Sequence, residues 1–198
     1  MKTLHRLPLL TLFLGAAAQL PAQQPTQSPT AQLVMSNSIA PSTGSQAPDF
    51  ELPAADSNGA TSAPVSLRAL RGHVVVLAFY PKDRSGGCTA EMTKFRDEYA
   101  TLFGDNVIVL PISTDDVTSH AGWAHDMHFP FTLVSDTTGA IASRYSSTMQ
   151  YQGHNYASRS VYVVGKDGRI TYENLHFGAL DQNAYDALHR AVVMAAGA

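Results

Sequence analysis

Residues 73–80, His-Val-Val-Val-Leu-Ala-Phe-Tyr, form a nearly unbroken apolar run between Gly72 and Pro81. A run of that length without polar alternation is the pattern of a strand covered on both faces of a sheet. From Cys88 the period changes. Cys88, Met92, Phe95, Tyr99 and Leu102 fall at i, i+4, i+7, i+11 and i+14, one face of a helix that Gly104 ends. Residues 106–112 then read as a second buried strand, 118–127 as a helix and 131–134 as a third strand. Asp136-Thr-Thr-Gly139 is a turn, and residues 140–145 form a short helix.

The flanks are patterned too. Residues 47–52 alternate as a short strand, Ser57-Asn58-Gly59 turns the chain, and Val65-Ser66-Leu67 leads into a brief helical turn ended by Gly72. Residues 160–164 and 170–174, joined by Gly165-Lys-Asp-Gly168, read as a hairpin. Asp181 can cap a last helix with the apolar face Ala184, Tyr185, Leu188, Ala191, Val192 and Ala195. Crossovers between the early strands make them parallel, and the late hairpin adds an antiparallel edge. The expected fold class is α/β: a three-layer thioredoxin-like fold, with a mixed central sheet flanked by helices.

Composition divides the chain. Residues 1–22 begin with Lys2 and Arg6, continue with an apolar run from Leu7 to Leu14, and offer small-residue cleavage positions at Ala18 and Ala22. They read as a signal peptide, so the protein is expected to be exported, to the periplasm or outside the cell. The run is too short for a bilayer core that needs ~20 residues, so no membrane attachment is expected after cleavage. Residues 23–46 are rich in Gln, Pro, Ser and Thr and carry no charge, as in a flexible leader. Residues 47–198 remain as one domain. The chain has 16 acidic and 13 basic residues, and no basic stripe, so nucleic acid is not an expected partner.

Cys88 is the only cysteine. It cannot pair within the chain, so it is a free thiol or pairs with another molecule. A thiol where a helix begins is placed for nucleophilic or redox chemistry, because the thiolate is the reactive form and the helix N-terminus favours it. Gly86 and Gly87 allow a sharp turn and close backbone approach. His120, His125 and His128 cluster near Asp126, but neither HExxH nor Cys/His ligand spacing is present, so no metal and no cofactor are expected.

Pro81, Ser85 and Cys88 follow the spacing P-x-x-x-[T/S]-x-x-C. Around them stand Phe79-Tyr-Pro-Lys-Asp, Cys-Thr-x-Glu and Phe95-Arg-Asp. Downstream come Ser113-x-Asp115, Ser119-His120, Phe129-Pro-Phe-x-Leu-x-Ser-Asp136 and Arg159-Ser-x-Tyr-Val-Val. This ordered set resembles the peroxiredoxins of the AhpC/TSA superfamily, in particular the bacterioferritin-comigratory or Q-type group, over about residues 46 to 195.

The resemblance implies a thioredoxin-dependent class of peroxidase that reduces hydrogen peroxide and organic hydroperoxides in antioxidant defence. Cys88 would attack the peroxide and become a sulfenic acid. Arg159 would stabilise the anion, Ser85 would bridge sulfur and substrate, and Pro81 would shield the sulfur. Many Q-type members carry a resolving cysteine where this chain has Thr93. That departure implies a one-Cys mechanism with an external thiol reductant: a thioredoxin, a glutaredoxin-like protein or a small thiol. A monomer or weak homodimer is expected. Two other readings stay open: an exported thioredoxin-like redox or copper-handling protein, which lacks its usual second cysteine here, and a peroxide sensor without turnover.

Overall fold

The structure is a computed structural model, and it describes residues 40–197. The expected signal peptide and most of the expected leader lie outside those residues. In chain order the elements begin with β1 (Glu51–Leu52), β2 (Ala54–Asp56), β3 (Gly59–Ala60), β4 (Val65–Ser66), a 3-10 turn (Arg68–Leu70) and β5 (Val74–Phe79). The middle of the chain holds α1 (Gly86–Asp97), α2 (Tyr99–Leu102), β6 (Val107–Ser113), α3 (Val117–Met127), β7 (Leu133–Ser135) and α4 (Ala140–Arg144). It closes with β8 (Thr148–Tyr151), β9 (His154–Ala157), β10 (Ser160–Val164), β11 (Ile170–Asn174) and α5 (Gln182–Gly197).

A seven-stranded sheet in the order β11-β10-β5-β6-β7-β2-β3 forms the middle layer. β5, β6 and β7 are parallel, and β10, β11, β2 and β3 run antiparallel to their neighbours. Every residue of β5 is buried, as its apolar run requires. Val74, Val76, Ala78 and Tyr80 face a core shared with α1, α3 and α5. Val75, Leu77 and Phe79 face the opposite core, under α4 and the amino-terminal segments. This is the expected three-layer, thioredoxin-like arrangement.

Several expected boundaries move. The helix read as continuous from Cys88 to Leu102 begins earlier, at Gly86, and is interrupted at Glu98 (φ −107°, ψ 18°) before α2. The strand expected at residues 47–52 shrinks to β1, because Pro48 and Pro53 have no N–H to give a ladder. The third strand shifts toward its carboxyl end, to Leu133–Ser135.

The β8–β9 hairpin is not visible in the periodicity. All four residues of β8 are exposed, and only Met149 and Tyr151 alternate there, too short a pattern to stand out along the chain. Its turn residues Gln152 and Gly153 both have positive φ, the backbone of a two-residue hairpin loop.

Composition places the start of the domain at residue 47, but the hydrogen-bonded fold reaches back further. Gly44 N–H donates to Ile170 O at 2.8 Å, and Ile170 N–H to Ser45 O at 2.9 Å. Pairing through the backbone needs no apolar side chain, so a polar segment can join a sheet edge without a hydrophobic signature. Among the described residues no helix is long and apolar enough to cross a membrane.

Candidate active site

Cys88 lies in the first turn of α1. Ser85 is the N-cap residue, with extended backbone (φ −72°, ψ 148°). The first α-helical bond runs from Thr89 N–H to Ser85 O at 2.8 Å. The N–H groups of Gly86, Gly87 and Cys88 precede that ladder, at the positive end of the helix. The thiol is fully buried.

Arg159 reaches the sulfur from the far side of the chain. Ser160 pairs with Phe79 where β10 meets β5, so the residue before β10 stands beside the loop that leaves β5. Arg159 Nη2 donates to Cys88 Sγ at 3.4 Å, and Nη1 donates to Glu91 Oε2. Phe177 N–H holds the Arg159 carbonyl at 3.2 Å. One guanidinium thus spans a sulfur and a carboxylate that sit three residues apart on the same face of α1.

Glu91 is fully buried, and its Oε1 has no hydrogen-bond partner. Burial pushes its carboxyl up to about 7, although the charge and hydrogen bond of Arg159 pull the other way. For Arg159 itself, burial works against the cation. The charges of Glu91 and Cys88 outweigh it, so the guanidinium holds its proton more tightly than usual. The site can therefore hold a positive charge against the sulfur. The tie of Glu91 to Arg159 is a tertiary contact between residues 68 apart in the chain. The available signal is its spacing of three from Cys88.

The other expected residues are placed differently. Ser85 Oγ donates to Lys82 O at 3.1 Å and makes no hydrogen bond to the sulfur. Pro81 follows Tyr80, the first residue after β5, and is half-buried in the same loop.

Among the described residues no three of His, Cys, Asp and Glu converge as metal ligands. His125 and His128 are exposed, whereas His120 is fully buried against Asp83.

A second polar cluster, which sequence reading misses, sits beneath the loop. Asp83 Oδ1 accepts from Tyr80 Oη at 2.7 Å, and Asp83 Oδ2 from Ser119 Oγ at 2.7 Å. His120 Nδ1 lies 3.0 Å from Asp83 Oδ2. Burial raises the Asp83 carboxyl, but bonds from His120, Ser119 and Tyr80 and the charge of His120 hold it below the usual carboxylate range. Its only sequence-level signals are the pairs Lys82-Asp83 and Ser119-His120.

A buried thiol on the first turn of a helix, at the carboxyl ends of parallel strands and faced by an arginine, defines a thioredoxin-like thiol protein. Residues 43–173 match the AhpC/TSA family, and the chain belongs to it, among the peroxiredoxin Q or bacterioferritin-comigratory type. The chain is 34% identical to a putative peroxiredoxin bcp of Coxiella burnetii over 132 residues, which is 65% of this chain and 84% of that one. It is 37% identical to the chloroplastic peroxiredoxin Q of Triticum aestivum over 131 residues, 66% of this chain and 58% of the wheat protein. Among solved structures, peroxidoxin BcpB of Mycobacterium tuberculosis superposes with a TM-score of 0.64 at 28% identity. That match covers 78% of this chain and 97% of the other.

Proposed function

We propose that the protein is a thiol-dependent peroxidase that works through Cys88 alone. The observation that carries this reading is Arg159 Nη2 at 3.4 Å from Cys88 Sγ, in a chain of the peroxiredoxin family. The Cys88 thiolate attacks one oxygen of a hydroperoxide, either hydrogen peroxide or an organic hydroperoxide. The S–O bond forms as the O–O bond breaks. The departing oxygen leaves as an alcohol or water once it takes a proton, and the sulfur becomes a sulfenic acid. Arg159 and the first-turn N–H groups lie where negative charge sits before the step and moves during it, so they lower the barrier electrostatically. Ser85 Oγ keeps lone pairs to accept from the substrate, and Pro81 walls the loop side.

With one cysteine in the chain, the sulfenic acid must be resolved from outside. An external thiol condenses with it, releasing water and leaving a mixed disulfide, and a second thiol frees Cys88. Thioredoxins, glutaredoxin-like proteins and small thiols all fit this chemistry. The same reading places the protein outside the cytoplasm, after removal of residues 1–22, in antioxidant defence. It is read as a monomer or weak homodimer.

Purified protein treated with one equivalent of hydrogen peroxide and a sulfenic-acid trap should gain one adduct, at Cys88, by intact mass. A panel of thiol donors then identifies the reductant as the one that restores the thiol and sustains turnover. Turnover that persists in Cys88→Ser would sink the reading.

A further inference from the structure

Residues 81–85, in the loop between β5 and α1, include Pro81 and Ser85 and have no regular structure of their own. Ties to the β6–α3 corner and to α3 hold them in place. Asp83 N–H donates to Asp115 Oδ2 at 2.8 Å, and Ser113 Oγ donates to the same oxygen at 2.8 Å. The Asp83 carboxylate is bonded by Tyr80, Ser119 and His120. Arg84 reaches along α3 past Gly122 to Asp126, with Nη2 at 2.5 Å from Oδ2.

His120 Nε2 faces Val134 O at 3.3 Å and Nδ1 faces the Asp83 carboxylate. Both ring nitrogens therefore have a partner, one on the loop and one on β7. Between these ties Arg84 has φ 59°, in the left-handed region, which an arginine keeps only when its surroundings hold it there. Tyr80, at the head of the loop, packs in the same core cluster as Cys88. The peroxide chemistry uses none of Asp83, Ser119 or His120, yet Ser119 and His120 both meet the carboxylate of Asp83, in the segment that leads into the thiol.

We propose that Asp83 and His120 are positioning residues: their buried pair clamps the 81–85 loop to α3, and this clamp sets both the reactivity of Cys88 and its concealment from solvent. The reactivity half rests on the peroxidase reading; the concealment half stands without it. Loosening the loop displaces Pro81 and Ser85 and lets the first turn of α1 fray. That lowers the rate with peroxide and raises access to small alkylating reagents, two changes of opposite sign. A purely structural role would move stability and leave these rates alone.

The test compares native protein with Asp83→Asn, His120→Asn, the double variant and Ser119→Ala. The measurements are Cys88 oxidation by hydrogen peroxide in stopped flow, Cys88 alkylation by iodoacetamide, and thermal melting. Asp83→Asn should slow oxidation by about 100-fold, the scale of a misplaced reactive group, and speed alkylation by about 10-fold as the turn opens locally. The double variant should be no worse than the poorer single one, as for two members of one pair. Ser119→Ala removes one bond to Asp83 from a half-buried position and should shift both rates the same way by about fivefold. If Asp83→Asn does not fold, Ser119→Ala decides. Folded variants with both rates within about twofold of native would overturn the clamp. A native protein that peroxide does not oxidise would overturn the peroxidase reading instead, while the alkylation arm still measures the clamp.

Discussion

Ser160 stands opposite Phe79 in the antiparallel pairing of β10 with β5, and that register sets Arg159 beside Cys88, 71 residues away in the chain. A slip of one residue would turn Arg159 to the other face of the sheet and leave the sulfur without a cation. The site depends on how two strands meet as much as on the residues in it.

Arg159→Ala should lower the second-order rate with hydrogen peroxide by about 10²- to 10³-fold, the usual cost of removing one donor aimed at developing charge. The far-UV circular dichroism should not change. Arg159→Lys keeps the charge but loses the fork that spans Sγ and Glu91, so its rate should fall between the two. Stopped-flow tryptophan fluorescence or competition with a second peroxidase gives the rates. Equal rates in all three proteins would remove Arg159 from the mechanism.

Glu91 should make stability depend on pH. Its carboxyl rises from an ordinary 4.5 to about 7 in the folded protein. Between those values the folded state holds a proton that the unfolded state releases. The contribution is therefore fully present below pH 4.5 and is lost as pH rises through 7. The shift corresponds to about 3 kcal/mol. Glu91→Gln cannot ionise, so its stability relative to native should improve by about that amount from pH 4.5 to pH 8. Urea unfolding of both proteins at the two pH values checks this, and a constant difference would refute it.

Gly87 separates stability from activity. A Cβ there would stand 3.2 Å from Arg159 Nη2, closer than side chains normally pack. Gly87→Ala should therefore push the guanidinium off the sulfur and slow peroxide reduction by about 10-fold, a misplacement effect. Helix α1 should gain about 0.5–1 kcal/mol, because Ala costs less backbone entropy in a helix. A raised melting temperature with a lowered rate is the expected pair. A lowered melting temperature at native rate would place the crowding elsewhere.

The parts of the fold that can be read along the chain are those with local causes. The hairpin of β10 and β11 has the bounds its two apolar segments and Gly165-Lys-Asp-Gly168 turn predict, and β5 differs from its apolar run by one residue at each end. Asp181 caps α5 as expected, its Oδ1 accepting from Asn183 N–H at 3.0 Å. The β8–β9 hairpin and the docking of residues 44 and 45 on β11 are not legible. Both are backbone-paired chain that buries little apolar surface.

The site divides along the same line. Local pattern and spacing place Cys88 in the first turn of a helix after a buried strand, and mark Pro81, Ser85 and Arg159 through their resemblance to a known motif. The tie of Arg159 to Glu91 and the burial of Asp83 against His120 arise only once the sheet has closed. Their partners lie 68 and 37 residues apart, and the acids are removed from water by packing against distant elements. Periodicity reports which residues are apolar and where chain direction changes, because those depend on near neighbours. The charge a buried group carries and the group that answers it depend on register and desolvation, which belong to the assembled fold.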